Sequence, residues 1–204
     1  MPERSALKLV ILDRDGTINQ GRDDYVKTAD EWRPLPGALE AVARLHQAGW
    51  HVVLATNQSG LGRGLFDMST LNAMHLKMNE ALARVGGRID AVFFCPHAPD
   101  DGCDCRKPRP GLFHEIAERY GIEPAGIPTA SSALRHLDAG LAAGCSLHLL
   151  RNGHAAELDE DALQQLGVRL PGLTVHADLA AFADALLAAD ATRKAGETRA
   201  DKRP

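Results

Sequence analysis

Short apolar runs alternate with amphipathic stretches along this chain. Lys8 to Leu12 (KLVIL) is a continuous apolar run, the pattern of a strand buried on both faces. After a polar loop, Pro36-Gly37 opens ALEAVARLHQAGW, whose Leu39, Val42, Ala43 and Leu45 recur at helical spacing up to Gly49. His51 to Ala55 (HVVLA) predicts a second strand, and STLNAMHLKMNEALARVGG predicts a long helix with Ser69 as its cap. Ile89 to Phe94 predicts a third strand, and Pro110-Gly111 starts a helix over LFHEIAERYG. IPTA, SLHLL and LTVH read as further short strands, with helices at LRHLDAGLAAG and LAAFADALLAAD. Strand and helix in alternation imply right-handed crossovers and a mainly parallel sheet covered on both faces, an α/β three-layer sandwich of Rossmann-like form. The expected organisation is one domain over residues 1–190, followed by a charged, disordered tail over 191–204 that lacks an apolar stripe.

Composition narrows the function classes. The chain has 204 residues, 45% of them hydrophobic and 25% charged, which suits one substantial globular domain. A formal charge of −4 gives no nucleic-acid footprint, and no apolar run reaches membrane-spanning length. MPERSALKLVILDRDG passes from charges straight into a strand without a signal peptide's apolar region, so a cytoplasmic protein is expected. Three of the four cysteines fall within one short segment, which in that setting points to metal more readily than to disulfides.

Ligands in such a sheet bind beyond the carboxyl ends of the strands, where every polar motif of this chain falls. In LDRDGTIN, Asp13 and Asp15 follow a buried strand and Gly16 permits a sharp turn. Paired acids in a loop are commonly turn formers. After an apolar strand and before Gly-Thr, one carboxylate can instead attack phosphorus while the other protonates the leaving oxygen. In VVLATNQSGLGRG, the Thr56 hydroxyl and exposed backbone N–H groups could hold phosphoryl oxygens, and Asn57 adds a polar contact. FFCPHAPDDGCDCRKPRPG carries Cys95, His97, Cys103 and Cys105. These offer three thiolates and one imidazole, the ligand set of a closed structural Zn²⁺ site. Arg106 and Lys107 follow at once, so a lysine held beside a rigid loop can neutralise a phosphate.

Together these motifs resemble the haloacid dehalogenase superfamily from Lys8 to about Leu150. DRDGTIN, ATNQSGLGRG and the C-P-H…C-x-C-R-K-P-x-P-G segment are most similar to its D-glycero-D-manno-heptose 1,7-bisphosphate 7-phosphatase family, with histidinol-phosphatases as relatives sharing the zinc loop. The resemblance implies that Asp13 is a nucleophile forming an aspartyl-phosphate and a ligand of Mg²⁺. Asp15 would be the general acid/base, with its carbonyl on the metal. Thr56 and Lys107 would stabilise the phosphoryl group, while Asn57, Ser59 and Arg106 would contact substrate. Gly21 to Val26 would form a substrate-contacting loop, zinc would be structural, and no large cap domain would be present. A monomer acting on a small sugar phosphate, without nucleic-acid or membrane partners, is the matching expectation.

One motif departs from the family. Its fourth motif reads like Gly-Asp, three residues, Asp, but here Ser131-Ser132 and His136 occupy those positions. Asp138 lies too far along the presumed helix to substitute. A phosphate charge 4 Å from the Asp13 carboxylate is repelled by about 4 kcal/mol at an effective dielectric of 20. A metal and Lys107 would have to offset that. Loss of one carboxylate ligand, if it costs ~2–4 kcal/mol, lowers metal affinity roughly 30- to 1000-fold. His136 cannot restore a hard oxygen, although imidazole suits Mn²⁺, Co²⁺ or Zn²⁺. The readings are therefore a heptose bisphosphate phosphatase with a weakened metal site, a non-catalytic sugar-phosphate binder, or a histidinol-phosphate phosphatase.

Overall fold

The computed structural model of the chain describes residues 7–200. Its sheet is built from β1 (Leu9–Leu12), β2 (His51–Asn57), β3 (Ala91–Cys95), β4 (Pro128–Ser131), β5 (Ser146–Leu150) and β6 (Thr174–His176). All neighbours are parallel, in the order β3-β2-β1-β4-β5-β6. Side chains alternate across a strand, so β1 supplies both halves of the core. Val10 and Leu12 pack with Val52 and Leu54 toward α1 (Ala38–Gln47), α3 (Met68–Arg84) and α7 (Leu179–Ala200). Leu9 and Ile11 pack with Val53 and Ala55 toward α4 (Gly111–Tyr120), α5 (Leu134–Ala143) and α6 (Glu160–Arg169). The result is the predicted three-layer sandwich. No separate cap domain is inserted among the described residues, and no helix there is long and apolar enough to cross a membrane.

Several boundaries differ from the sequence expectation for identifiable reasons. Asp67, not Ser69, caps α3: its carboxylate accepts from Thr70 N at 2.8 Å, and Ser69 Oγ donates to the same carboxylate. The short turn α2 (Ser59–Gly62) and the helix α6 had no predicted counterpart. α6 starts at Asp159, whose carboxylate accepts from Ala162 N, but it buries little beyond Leu166, so its apolar stripe is thin. α7 continues through Ala200, past the expected domain end at 190. Residues 191–200 are rich in Ala, Arg, Lys and Glu, whose propensity extends a helix already anchored by Phe182 and Ala183. The last four residues of the tail, 201–204, lie outside the described residues.

The strand order reverses direction between β1 and β4. Such a switch point opens a crevice beyond the carboxyl ends of the two strands. Asp13 follows β1 there, and Ser131 and Ser132 stand at the end of β4. Gly16, at φ 76°, lets the loop after β1 fold back, with Gly16 N donating to Asn19 O at 2.7 Å.

Candidate active site

Asp13 is buried at the end of β1, where Oδ1 accepts from Arg14 N at 2.9 Å. Its Oδ2 lies 2.7 Å from Nζ of Lys107, whose side chain is completely buried. Burial pushes the Asp13 carboxyl up, but the Lys107 ammonium more than offsets this and holds it at about 2. The lysine is placed from two sides. Its backbone and the Asn57 amide bond reciprocally: Lys107 N donates to Asn57 Oδ1 at 3.1 Å, and Asn57 Nδ2 donates to Lys107 O at 3.0 Å. Its ammonium donates to Ala55 O at 2.6 Å and meets His136 Nδ1 at 2.9 Å. Asn57 lines the cleft as expected, yet its amide is spent on holding Lys107 rather than left free for substrate.

Asp15 sits at the cleft surface in a different setting. Arg14 wraps it with Nη2 at 3.0 Å and 2.9 Å from its two oxygens, while Asn19 Nδ2 and Gln58 Nε2 donate to it at 2.9 Å and 3.0 Å. Gln58 also donates to Thr56 Oγ1 at 2.8 Å and accepts from Arg14 at 3.0 Å, tying the ends of β1 and β2 together. Thr56 is therefore at the base of the site, buried.

A cleft of about 210 Å³ opens beside Asp15, lined also by Asn57, Ser59 and Arg106 together with Gly21, Arg22, Asp23, Tyr25 and Val26; the buried Asp13, Thr56 and Lys107 are not among its lining residues. The Gly21–Val26 segment thus borders the same cleft as Asp15 and Arg106. Tyr25 holds a left-handed backbone at φ 69°, unusual for a bulky residue, and Arg63 lies over its ring at 6.0 Å.

Cys95, His97, Cys103 and Cys105 converge on one point, with all four ligand atoms within 4.8 Å of one another. Cys95 Sγ is 3.6 Å from both His97 Nδ1 and Cys103 Sγ, and Cys105 Sγ is 3.3 Å from His97 Nδ1. A tetrahedron with metal–sulfur bonds of about 2.3 Å has edges of roughly 3.8 Å, somewhat less where nitrogen replaces sulfur. The set therefore fits a metal ion. Gly111 lets α4 approach this loop, since a Cβ there would lie 2.5 Å from Asp104 O.

At the end of β4 the missing acids leave hydroxyls. Ser132 Oγ donates to Gly16 O at 2.7 Å, and Ser131 Oγ lies 3.4 Å from Asp13 Oδ2. His136 is no replacement metal ligand, because both ring nitrogens are engaged, Nδ1 by Lys107 and Nε2 by Thr129 Oγ1 at 2.8 Å. Burial, with the Lys107 ammonium adding to it, pushes its pKa down to about 3. Asp138 points away and pairs with Arg169 at 2.8 Å. For Mg²⁺ the remaining donors are hard oxygens with one carboxylate, Asp13. That is a sparse set, but of the kind Mg²⁺ completes with phosphate and water.

A family model for polynucleotide kinase 3 phosphatase matches residues 8–161. The D-glycero-beta-D-manno-heptose-1,7-bisphosphate 7-phosphatase of Bordetella bronchiseptica is 56% identical over 182 residues, covering 89% of this chain and 98% of that protein. The enzyme of the same name from Pseudomonas aeruginosa is 48% identical over 88% of this chain and 97% of its own length. The chain belongs to this family, among its heptose bisphosphate 7-phosphatases. The crystal structure of the B. bronchiseptica D,D-heptose 1,7-bisphosphate phosphatase, complexed with magnesium and phosphate, superposes with a TM-score of 0.83 at 55% identity over 89% of this chain and 98% of that one.

Arg14, Gln58 and Arg135 also line the cleft, and sequence reasoning did not single them out. Arg14 and Gln58 stand within DRDGTIN and ATNQSGLGRG, but an arginine or glutamine in a loop has many ordinary surface uses and carries no signal of its own. Arg135 has no sequence signal; the fold leaves it exposed between the buried Ser132 and His136, where it reaches the cleft.

Proposed function

We propose that the chain hydrolyses a sugar phosphomonoester, removing the 7-phosphate of D-glycero-D-manno-heptose 1,7-bisphosphate through an aspartyl-phosphate on Asp13. The observation that carries this reading is the buried Asp13–Lys107 pair at 2.7 Å, whose chain neighbours Arg14, Asp15 and Arg106 line a cleft rich in arginines. An Asp13 carboxylate oxygen attacks phosphorus as the bond from phosphorus to the sugar oxygen breaks, and Asp15 gives that oxygen its proton. Asp15 then takes a proton from water, which attacks the phosphoryl group and returns Asp13 to its carboxylate. Lys107 and Thr56 hold phosphoryl oxygens, and Ser59, Arg106 and the Gly21–Val26 segment contact the sugar phosphate.

Asp13 and the Asp15 main-chain carbonyl would hold Mg²⁺, which supplies positive charge to the phosphoryl oxygens. Cys95, His97, Cys103 and Cys105 would hold Zn²⁺, which would serve structurally by fixing the loop that carries Arg106 and Lys107. The protein acts as a cytoplasmic monomer on a small molecule. One observation favours a second reading, a non-catalytic sugar-phosphate binder: β4 ends in hydroxyls where a metal-binding carboxylate would serve catalysis. Phosphate release from a panel of sugar bisphosphates and histidinol phosphate, with Mg²⁺, Mn²⁺ or Co²⁺, separates the readings. Turnover of the heptose bisphosphate supports the first. Tight binding without turnover under any metal supports the second, and preference for histidinol phosphate overturns the substrate assignment.

A further inference from the structure

His136 is completely buried, and its two ring nitrogens face groups of opposite hydrogen-bonding character. Nδ1 meets the Lys107 ammonium at 2.9 Å, and Nε2 meets Thr129 Oγ1 at 2.8 Å. An ammonium has donors only, so the nitrogen facing it must present a lone pair. The ring proton is therefore on Nε2 and points at the Thr129 oxygen. The Thr129 hydroxyl is free to receive it, since it donates its own proton to Ile11 O at 2.9 Å. Phe113 packs against the imidazole with ring centroids 5.2 Å apart and planes at 64°, which fixes the ring's tilt.

We infer that His136 is a positioning residue for Lys107, a neutral acceptor locked in the Nε2–H tautomer that aims the ammonium at Asp13. The inference rests on the phosphatase reading for its consequence, though not for its geometry. A lysine ammonium carries three donors. Here Ala55 O takes one, His136 Nδ1 the second and Asp13 Oδ2 the third, at 2.6, 2.9 and 2.7 Å. Two of these acceptors belong to the fold, and only the third belongs to the nucleophile. When Asp13 engages phosphorus, Lys107 has one donor to transfer to a phosphoryl oxygen, and the other two bonds keep the nitrogen in place. A neutral anchor serves this better than a second anion would, because it leaves the whole of the lysine's charge for Asp13 and the phosphate. Without the anchor, one donor of a buried ammonium is unpaired and the flexible side chain has a second direction open to it.

The test combines a spectroscopic readout on the parent protein with three substitutions. In long-range ¹H–¹⁵N spectra of the zinc-loaded protein, His136 is expected to show a protonated Nε2 and an unprotonated Nδ1. The opposite tautomer, or a doubly protonated ring at neutral pH, would overturn the inference without any mutant. His136→Asn places an amide oxygen near the Nδ1 position, whereas His136→Gln places one near Nε2, and His136→Leu supplies neither. With inorganic phosphate as the probe, measured by calorimetry, Asn is expected to bind within a few-fold of the parent. Leu and Gln are expected to bind about 10-fold more weakly or worse, the effect of losing one charge-assisted hydrogen bond. If folded Leu or Gln variants bind phosphate as tightly as the parent, or if Asn is as impaired as Leu, His136 does not position Lys107. Phosphate release from the heptose bisphosphate by the parent is read separately. Its absence would sink the phosphatase reading while the tautomer and phosphate binding still judge His136.

Discussion

The Lys107 ammonium contacts Oδ2 of Asp13 at 2.7 Å, with the two side chains 0% and 5% exposed. A buried pair of this kind is costly to break from one side, because the surviving charge is left without compensation. Lys107→Met is expected to lower stability by about 3–5 kcal/mol in urea denaturation. Adding Asp13→Asn to it should restore much of the loss, since the uncompensated carboxylate is then gone. Neither single variant should release phosphate: Asp13→Asn has no nucleophile, and Lys107→Met has lost the phosphoryl grip. Additive effects on stability in the double variant would show that the two groups do not interact as described.

The zinc loop gives a second prediction. Purified protein should carry one tightly held zinc ion, and its removal by a chelator should expose Cys95, Cys103 and Cys105 to thiol reagents. Because Lys107 stands two residues beyond Cys105 and is clamped to Asn57, loss of the ion should also weaken phosphate binding. Zinc-free protein with unchanged phosphate affinity would separate the loop from the site.

Much of this architecture was legible in the residue pattern, and the gaps have physical causes. KLVIL and HVVLA read as strands because both faces are buried, and they lead to Asp13 and Thr56 at the crevice, although β2 runs two residues further, through Asn57. The cluster of Cys95, His97, Cys103 and Cys105, which could hold a metal ion, was legible because thiolate and imidazole spacing has few other uses. The α6 helix was not, since a helix with one buried residue shows almost no periodicity. Nor was the role of His136. Its position in the motif suggested a substitute ligand, whereas its partners Lys107 and Thr129 lie on other elements and only the folded chain brings them together.

Acid sensitivity follows from the buried imidazoles. Burial lowers the pKa of His136 to about 3 and those of His75 and His148 to about 4, against an ordinary value of 6.5. Around His136 stand Lys107 and Arg135, which disfavour a second positive charge, and Asp13, which favours one but less strongly than burial opposes it. Between the folded and ordinary values the unfolded chain binds protons that the folded chain does not, so stability rises with pH across this window. Asp13, held at about 2, adds a further loss as pH falls from the ordinary carboxylate range toward that value. The urea midpoint should therefore fall steadily from pH 6.5 downward, and the fall should be shallower in His136→Asn. A midpoint that is flat between pH 7.5 and 5 would contradict the buried neutral assignment.

Charge in the cleft predicts where a second phosphate is held. Arg14 is committed to Asp15 and Arg22 to Asp24, at 2.9 Å each. Arg106 and Arg135 line the same cleft without a carboxylate partner among the described residues. Arg135→Gln should raise KM for a sugar bisphosphate by roughly 10-fold, the worth of one charge-assisted hydrogen bond, with kcat little changed. For a sugar monophosphate KM should hardly move. Equal effects on both substrates would assign Arg135 to the reacting phosphate instead.

The end of β4 supplies the most discriminating change. Ser132 stands at the motif position where the family resemblance implies a metal-binding carboxylate; its hydroxyl is turned to Gly16 O at 2.7 Å, while the neighbouring Ser131 hydroxyl lies 3.4 Å from Asp13 Oδ2. Ser132→Asp adds a second carboxylate to a site that has one, and Mg²⁺ binds readily through one or two such ligands with phosphate and water. His136 is left in place, so Lys107 keeps its anchor and only the metal set changes. If ~1.4 kcal/mol of metal affinity is gained, half-saturation by Mg²⁺ should fall about tenfold, and phosphate release at low millimolar Mg²⁺ should rise with it. The added acid is buried, so without metal the variant should be less stable than the parent, and Mg²⁺ should raise its urea midpoint more than it raises the parent's. That stability readout does not depend on turnover. A parent protein already saturated at submillimolar Mg²⁺, with no gain in the variant, would mean that another group completes the metal set and that Ser132 is not the missing ligand position.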